Sequence, residues 1–306
     1  MTHAIIIPLF NKAAYISQTL HSLIRQSKLP DELIIVDDAS TDKSLSVAKD
    51  FLRDQLSAFG NCRIQLIQLS NNKGPGNARN IGFAASNSEL ISFLDADDEY
   101  HPKLLEIAAN AFKAHQLDFM VLNIAFMPGN EIYPNLERLK KYIEPLDADL
   151  YQVKNPLMAV SSPHFIMGVG SNVITQGKWI AAHQYMAGAQ LNEGIDFWYR
   201  VLKGILDKVP GKIALQTGCY LYVNEVPGSL SRKNYTHFKQ IELPPVISRY
   251  SNSKDKHDRL LMRMIGKRWY KHALQNLVSN TQKMRFVWHH RSFLPQYLRS
   301  LLIKRS

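Results

Sequence analysis

Three short apolar runs in the first hundred residues end directly in acidic or polar loops, and this pattern constrains the fold more than any other feature. Residues 4–9 lead into Phe10-Asn11, residues 33–36 into Asp37-Asp38, and residues 90–94 into Asp95-Ala96-Asp97-Asp98. A run that is apolar at consecutive positions, not at alternate ones, has both faces covered, as in a parallel sheet between two helical layers. Helical periodicity fills the intervals. Tyr15, Ile16, Leu20, Leu23 and Ile24 share one face of a helix that ends before Pro30, and Leu45, Val47, Ala48, Phe51 and Leu52 mark a second. A strand over 64–69, a short helix over 77–85, a helix starting near Pro102 and a strand over 119–122 continue the alternation. Repeated βα units predict an α/β fold with a mostly parallel, mixed sheet flanked by helices. Ligands of such sheets sit outside the carboxyl ends of the strands, where every one of these acidic loops falls.

From about residue 127 the pattern loosens. The charged stretch 136–143 reads as a connector and helix, 165–174 as an apolar strand region with small residues, and 193–206 as an amphipathic helix. Neither internal repeats nor low-complexity segments occur.

Charge is distributed unevenly. The formal net charge is +11, yet residues 253–306 alone hold 13 Lys and Arg against 2 acidic residues, and the other 252 residues carry 24 of each sign. The protein is therefore a neutral body with a basic C-terminal region, which argues against a general nucleic-acid coat. Leu260, Leu261, Met264, Ile265 and Trp269 form one apolar stripe in that region; Phe286, Trp288, Phe293, Leu294, Leu298, Leu301 and Leu302 form a second group. Basic residues mixed with aromatic and aliphatic ones suit an anionic membrane surface, where each Lys or Arg adds about 1 kcal/mol. The alternative is plain packing onto the rest of the chain, and no stacking platform for nucleic acid is identifiable. The apolar run at the N-terminus is short, lacks a basic flank and contains Pro8, unlike a signal peptide. No stretch approaches the roughly 18 apolar residues of a membrane span. Cys62 and Cys219 are too few for a disulfide framework and read as buried thiols of a reducing compartment.

Four clusters carry chemistry. Phe10 and Asn11 beside Asp37-Asp38 can sandwich and hydrogen-bond a nucleobase, or Asn11 and Ser40 or Thr41 can simply cap helices. The stretch Asn71-Asn-Lys-Gly-Pro-Gly-Asn-Ala-Arg79-Asn80 places glycines before a helix, with Arg79 free to reach a diphosphate or an aspartate; it lacks the dinucleotide-binding spacing. Asp95, Asp97 and Asp98 repel one another unless a cation compensates, and oxygen-only ligands select Mg²⁺ or Mn²⁺; the alternative is a solvated acidic turn capping the next helix. Glu193, Asp196 and Arg200 stand at i, i+3 and i+7 of a helix, where a carboxylate can act as general base or Asp196–Arg200 can form an ordinary helix pair.

Pro8-Leu-Phe10-Asn11, Val36-Asp-Asp-Ala-Ser-Thr-Asp42, the Asn-Ala-Arg79-Asn80 segment and Phe93-Leu-Asp95-Ala96-Asp97-Asp98 occur in the order and spacing of one family. The chain resembles a family-2 glycosyltransferase with the GT-A fold, specifically over residues 3–125 and more faintly through Gly170-Ser-Asn-Val173, 193–200 and Ser229-Leu-Ser231. The resemblance implies that Pro8, Phe10, Asn11 and Asp38 line a nucleoside pocket and that Asn71, Arg79, Asp95 and Ala96 contact the nucleotide-sugar. It implies a divalent metal, Mn²⁺ or Mg²⁺, on Asp97 with Asp98 close behind. The implied reaction moves a sugar from a nucleotide diphosphate-sugar, a UDP-sugar foremost, onto a hydroxyl of a glycan or lipid-linked glycan, with inversion. The chain departs from the family where its Glu-Asp pair reads Glu193-Gly194, leaving Glu193 as first choice of base and Asp196 as second. The family's late histidine is Val226 here; His237 could substitute as a metal ligand, against the plainer reading of a surface residue after a loop. A nucleotidyltransferase would need a Gly-rich loop after the first strand, which is absent; an inert scaffold is the reading from another class. The expected organisation is a donor-binding half over 1–125, an acceptor-binding half over 126–235 and a basic region over 236–306, peripheral on the cytosolic face of the inner membrane.

Overall fold

The computed structural model describes residues 1–298 except 130, 166, 169–170, 187, 189–191, 227–233 and 296–297, and the Cys219 side chain. Ser229-Leu-Ser231, Gly170, Leu301 and Leu302 lie outside the described residues. The first half follows the βα alternation: β1 (His3–Leu9), α1 (Ile16–Ile24), β2 (Glu32–Asp37), α2 (Ser44–Asp54), β3 (Arg63–Gln68), α3 (Pro75–Ala84), β4 (Leu90–Phe93), β5 (Glu99–Tyr100), α4 (Leu104–His115) and β6 (Phe119–Met127). The second half adds β7 (Glu131–Tyr133), β8 (Ile143–Asp147), β9 (Leu150–Val153), α5 (Pro156–Val160), β10 (Val173–Gln176), α6 (Gly177–Ile180), α7 (Glu193–Leu206) and β11 (Ile213–Asn224). Three helices close the chain: α8 (Pro245–Tyr250), α9 (Lys256–Asn276) and α10 (Asn280–His289).

All strands belong to one mixed sheet of order β3-β2-β1-β4-β10-β6-β11-β9-β8, with β5 on β11 and β7 on β6. β3, β2, β1 and β4 are mutually parallel, so the loops after β1, β2 and β4 emerge along one edge. β10 then enters antiparallel between β4 and β6. The consecutive apolar residues of β1 divide by period two: Ala4 and Ile6 join one core, Ile5, Ile7 and Leu9 the other. One core lies under α1, α2 and α4; the other lies under α3, α7 and the C-terminal helices. Both faces are covered, which is why these strands tolerate no polar alternation.

Three expectations change. The stretch 136–143 contains only the short turn Leu136–Arg138, and Ile143 opens a β8–β9 hairpin that extends the sheet. Its charges stay exposed while Leu139 and Ile143 anchor it in the core. Of the strand expected over 165–174, the described residues form strand only from Val173, in Val173–Gln176; Ser171 is committed to the acidic loop and Asn172 donates to the Leu122 carbonyl. The first apolar stripe of the basic region is core, with Leu261, Ile265 and Trp269 fully buried against the main body. Packing, not membrane contact, consumes it. No described helix is long and apolar enough to cross a membrane. Cys62 is half-buried and not fully buried as expected, and burial pushes its thiol up to about 12.

Candidate active site

The loops after β1 and β2 are joined by one side chain. Asn11 Oδ1 accepts from the Thr41 backbone N–H at 2.8 Å, and its Nδ2 donates to Thr41 Oγ1 at 3.1 Å. Asn11 and Ala39 both adopt the left-handed conformation, at φ 51° and 58°; asparagine tolerates it, whereas an alanine held there marks a backbone constrained by its surroundings. Neither α1 nor α2 carries a side-chain cap at its N-cap residue, so Asn11 and Thr41 serve as cross-links and not as caps. Phe10 is 41% exposed beside them, a ring available for stacking. Pro8, by contrast, is buried within β1 opposite Val36.

Asp38 is buried and turned toward the next loop. Its two oxygens accept from the Lys73 and Gly74 backbone N–H groups at 2.9 and 2.7 Å. Gly74 stands at φ 90° immediately before α3, a conformation that would strain any other residue there. Asp38 thus shapes the loop that launches α3, while Asn71 stays at the surface, bonded to Ser70.

Arg79 is the centre of the arrangement. Its buried guanidinium donates to Asp95 Oδ1 at 2.6 Å through Nη2 and to Glu193 Oε1 at 2.7 Å through Nη1. Burial disfavours its charge, but Asp95, with Glu193 beyond it, outweighs that and holds it firmly protonated. Tyr185 lies under the guanidinium at 5.2 Å and stacks on Phe197 at 3.9 Å, so α7 fixes the arginine from two sides. Glu193 is 8% exposed; burial raises its carboxyl above the ordinary range although Arg79 opposes the shift. Its Oε2 is buried against the Gly76 backbone, where a Cβ would come within 2.6 Å.

The acidic loop divides its carboxylates. Asp95, one-third exposed, is held by Arg79 and by its own N–H on Ser171 Oγ at 2.8 Å. Asp97 is 14% exposed and meets the Lys12 ammonium at 2.5 Å; burial and then Asp95 push its carboxyl upward. Ala96 between them is buried. Asp98 does not join a metal-facing group. Its carboxylate is buried, accepts from Ser171 Oγ at 2.9 Å and the Asn224 backbone N–H at 3.3 Å, and is raised well above the usual range by burial and by Asp95 and Asp97. Among the described residues no group of three or more His, Cys, Asp or Glu converges on one point. His237 caps a short turn and stacks on Phe238 near α10, away from this loop. Val226 is buried. Asp95 and Asp97 nevertheless fit a hard cation: both offer carboxylate oxygen, Asp95 raises the cost of ionising Asp97, and among the described residues Lys12 is the positive group that meets Asp97.

Asp196 is placed elsewhere. Although i+3 from Glu193, it is 1% exposed and pinned between Arg249 Nε at 2.8 Å and Arg200 Nε at 3.0 Å. Both its oxygens are spent on tying α7 to α8, leaving none to take a substrate proton. Lys12, Tyr185 and Asn224 escaped the sequence reading, and Ser171 entered it only within the faint Gly170-Ser-Asn-Val173 resemblance; Lys12, next to Asn11, gave a positional signal.

Gly194, where the family pattern has aspartate, is also explained. A Cβ there would lie 2.4 Å from the Gly168 carbonyl oxygen, and Gly168 itself sits at φ 81°. Two backbones cross where the family places a side chain. Gly194→Asp is therefore expected to lower the melting temperature, costing about 1–3 kcal/mol of overpacking, without raising transfer; calorimetry and a transfer assay on the same sample check both.

A mixed sheet flanked by helices, parallel over β3-β2-β1-β4 and with an aspartate loop at the end of β4, is the GT-A architecture of glycosyltransferases. The model of glycosyl transferase family 2 matches residues 4–168, more than half of the chain, and the chain belongs to that family. It is 35% identical over 136 residues to an uncharacterised glycosyltransferase of Haemophilus influenzae, covering 44% of this chain and 48% of that one. It is 30% identical over 135 residues to the Staphylococcus aureus poly(ribitol-phosphate) beta-N-acetylglucosaminyltransferase TarS, covering 43% of this chain and 22% of that one. The matched segment thus spans less than half of either relative. The crystal structure of S. aureus TarS 1-349 in complex with UDP-GlcNAc superposes with a TM-score of 0.61 at 18% identity, covering 98% of this chain and 73% of that one, a likeness of fold.

Proposed function

We propose that this chain transfers a sugar from a nucleotide diphosphate-sugar, of the uridine type, to a hydroxyl on a growing envelope glycan carried by a lipid, inverting the anomeric centre. The observation that carries the reading is the Asp95–Arg79–Glu193 bridge, which couples the loop at the donor end of the sheet to the first turn of α7. Residues 1–125 would supply the donor side, 126–235 the acceptor side and 236–306 attachment to an anionic membrane surface on the cytosolic face. Phe10 would stack on the base while the Asn11–Thr41 cross-link keeps its loop in place.

Asp97 and Asp95 would hold a divalent cation, Mn²⁺ or Mg²⁺, which when bound supplies charge for the departing diphosphate. Arg79 holds Asp95 at a fixed position and adds positive potential at the same end of the sheet. Glu193 would take the acceptor proton on its carboxylate once the acceptor displaces the packing of Gly76 against Oε2, while Arg79 holds Oε1. A carboxyl raised by burial is a better base near neutral pH than an ordinary glutamate. Alignment of hydroxyl and anomeric carbon supplies the remaining acceleration. Asp97→Ala is expected to cut metal-supported transfer about a hundredfold or more, corresponding to several kcal/mol of lost charge stabilisation. Chelation should abolish transfer by the parent protein, and Mn²⁺ should restore it.

A screen of nucleotide-sugars for stabilisation against heat, followed by transfer to lipid-linked acceptors, tests the reading. Failure of every UDP-sugar to stabilise the protein in the presence of Mn²⁺ would overturn it. An inert binding subunit is the second reading, favoured by the glycine at position 194; stabilisation by a donor that is neither hydrolysed nor transferred would select it.

A further inference from the structure

The membrane attachment proposed above leaves open which surface makes contact, and the structure narrows the choice. Most of the basic region's apolar residues are spent on the core, including Leu261, Ile265, Trp269 and Phe286. Two large apolar side chains of α10 are not. Trp288 is 72% exposed and Met284 is 66% exposed, one helical turn apart on the same face. Exposed Val278 precedes them and exposed Leu298 follows. Beside them is a concavity of about 580 Å³ lined by Phe238, Lys239, Met284, Arg285, Trp288 and His289. The Arg291 guanidinium lies over the Trp288 ring at 5.4 Å.

Resting on the proposed action at a membrane surface, we infer that this face of α10 is the membrane-contact surface and that its partner is an anionic phospholipid bilayer. An indole and a thioether that water must otherwise cover gain by entering the headgroup–acyl boundary. Lys239, Arg285 and Arg291 around them meet lipid phosphates, and no acidic residue occurs from 259 to 306 to oppose that field. A second copy of the chain is disfavoured on the same ground, since a two-fold contact would set this cationic patch against itself. The surface is also rigidly linked to the site: α10 packs on α9, α9 on α8, and Arg249 of α8 holds Asp196 of α7, three residues from Glu193. A bilayer bound to α10 would therefore hold the acceptor-side helix in a fixed attitude to lipid-borne glycans.

The experiment uses the full chain with vesicles of phosphatidylcholine alone and with about a third phosphatidylglycerol. Cosedimentation is read together with tryptophan emission, because Trp198 and Trp269 are buried and Trp288 is the tryptophan best placed to sense lipid. The expected result is binding to anionic vesicles only, with a blue shift that disappears in Trp288→Phe/Met284→Ser and affinity at least tenfold weaker in Trp288→Ala/Met284→Ser. Arg285→Gln/Lys239→Gln should weaken binding and flatten its dependence on salt, whereas Lys49→Gln, at an exposed position of α2, should bind as the parent does. Parent-like binding by the Trp288→Ala/Met284→Ser protein would overturn this surface while leaving membrane attachment intact. Absence of binding by the parent protein itself would overturn attachment as well. A dimer in sedimentation that the same double substitution dissolves would assign the patch to a second copy and overturn the lipid assignment.

Discussion

Arg79→Met is expected to abolish sugar transfer and to destabilise the folded protein by about 3–5 kcal/mol, the cost of leaving a buried charge without its partner. Two carboxylates depend on this one guanidinium, and Glu193 is the more buried of them. With methionine in place, the side-chain volume is largely kept, but Glu193 and Asp95 face each other unbalanced. The pH dependence follows from the direction of the shift. Burial already raises the Glu193 carboxyl above its unfolded value. Removing Arg79 raises it further, so the native state favours the protonated form more strongly than the unfolded chain does. The variant should be least impaired at acid pH, below the unfolded carboxyl value, and should lose stability as pH rises through the folded one. Urea unfolding at a series of pH values measures this; a loss independent of pH would mean that Glu193 does not depend on the arginine. Arg79→Lys should recover part of the stability and little of the transfer, because an ammonium cannot span two carboxylates as the guanidinium fork does.

Glu193→Gln is expected to slow transfer by about 10²–10⁴-fold, the range assigned to a general base, with donor affinity changed only severalfold. The amide keeps the side chain's shape and can still accept from Arg79. In the parent protein, the acid limb of kcat/KM should lie above the ordinary glutamate range, in keeping with the burial of Glu193. The limb should vanish in Glu193→Gln. Asp196→Asn provides the contrast. It leaves Arg249 and Arg200 facing a neutral amide, so its main effect should be on unfolding, with the acid limb kept in whatever activity remains. If the Asp196 variant lost the limb and the Glu193 variant kept it, the assignment of the base would be reversed.

The N-terminal half of the fold was legible because local signals and tertiary demands coincide there. Strands covered on both faces must be apolar at consecutive positions, and each of β1, β2 and β4 ends where its polar loop begins. α7 could be read to its boundaries, Glu193–Leu206, from amphipathic spacing alone. The β8–β9 hairpin was not legible, since its charged approach has helical composition and its strands gain their stability only by pairing with β11. The acidic loop was legible as a cluster but not as a division of labour. Asp95, Asp97 and Asp98 are chemically alike in sequence, and only Arg79, Lys12 and the Ser171–Asn224 pair set them apart.

The sequence by itself determined the βα order, the acidic loops at strand ends and the concentration of positive charge after residue 252, because each is a local property of composition and period. Tertiary structure decided which carboxylates stay available, why position 194 is glycine, and which apolar residues of the basic region remain exposed. Those outcomes depend on contacts between segments far apart in the chain: residues 79 and 193, 168 and 194, 196 and 249. A side chain's charge and polarity are written locally, but its partner, and hence its chemistry, is set by what the fold brings against it.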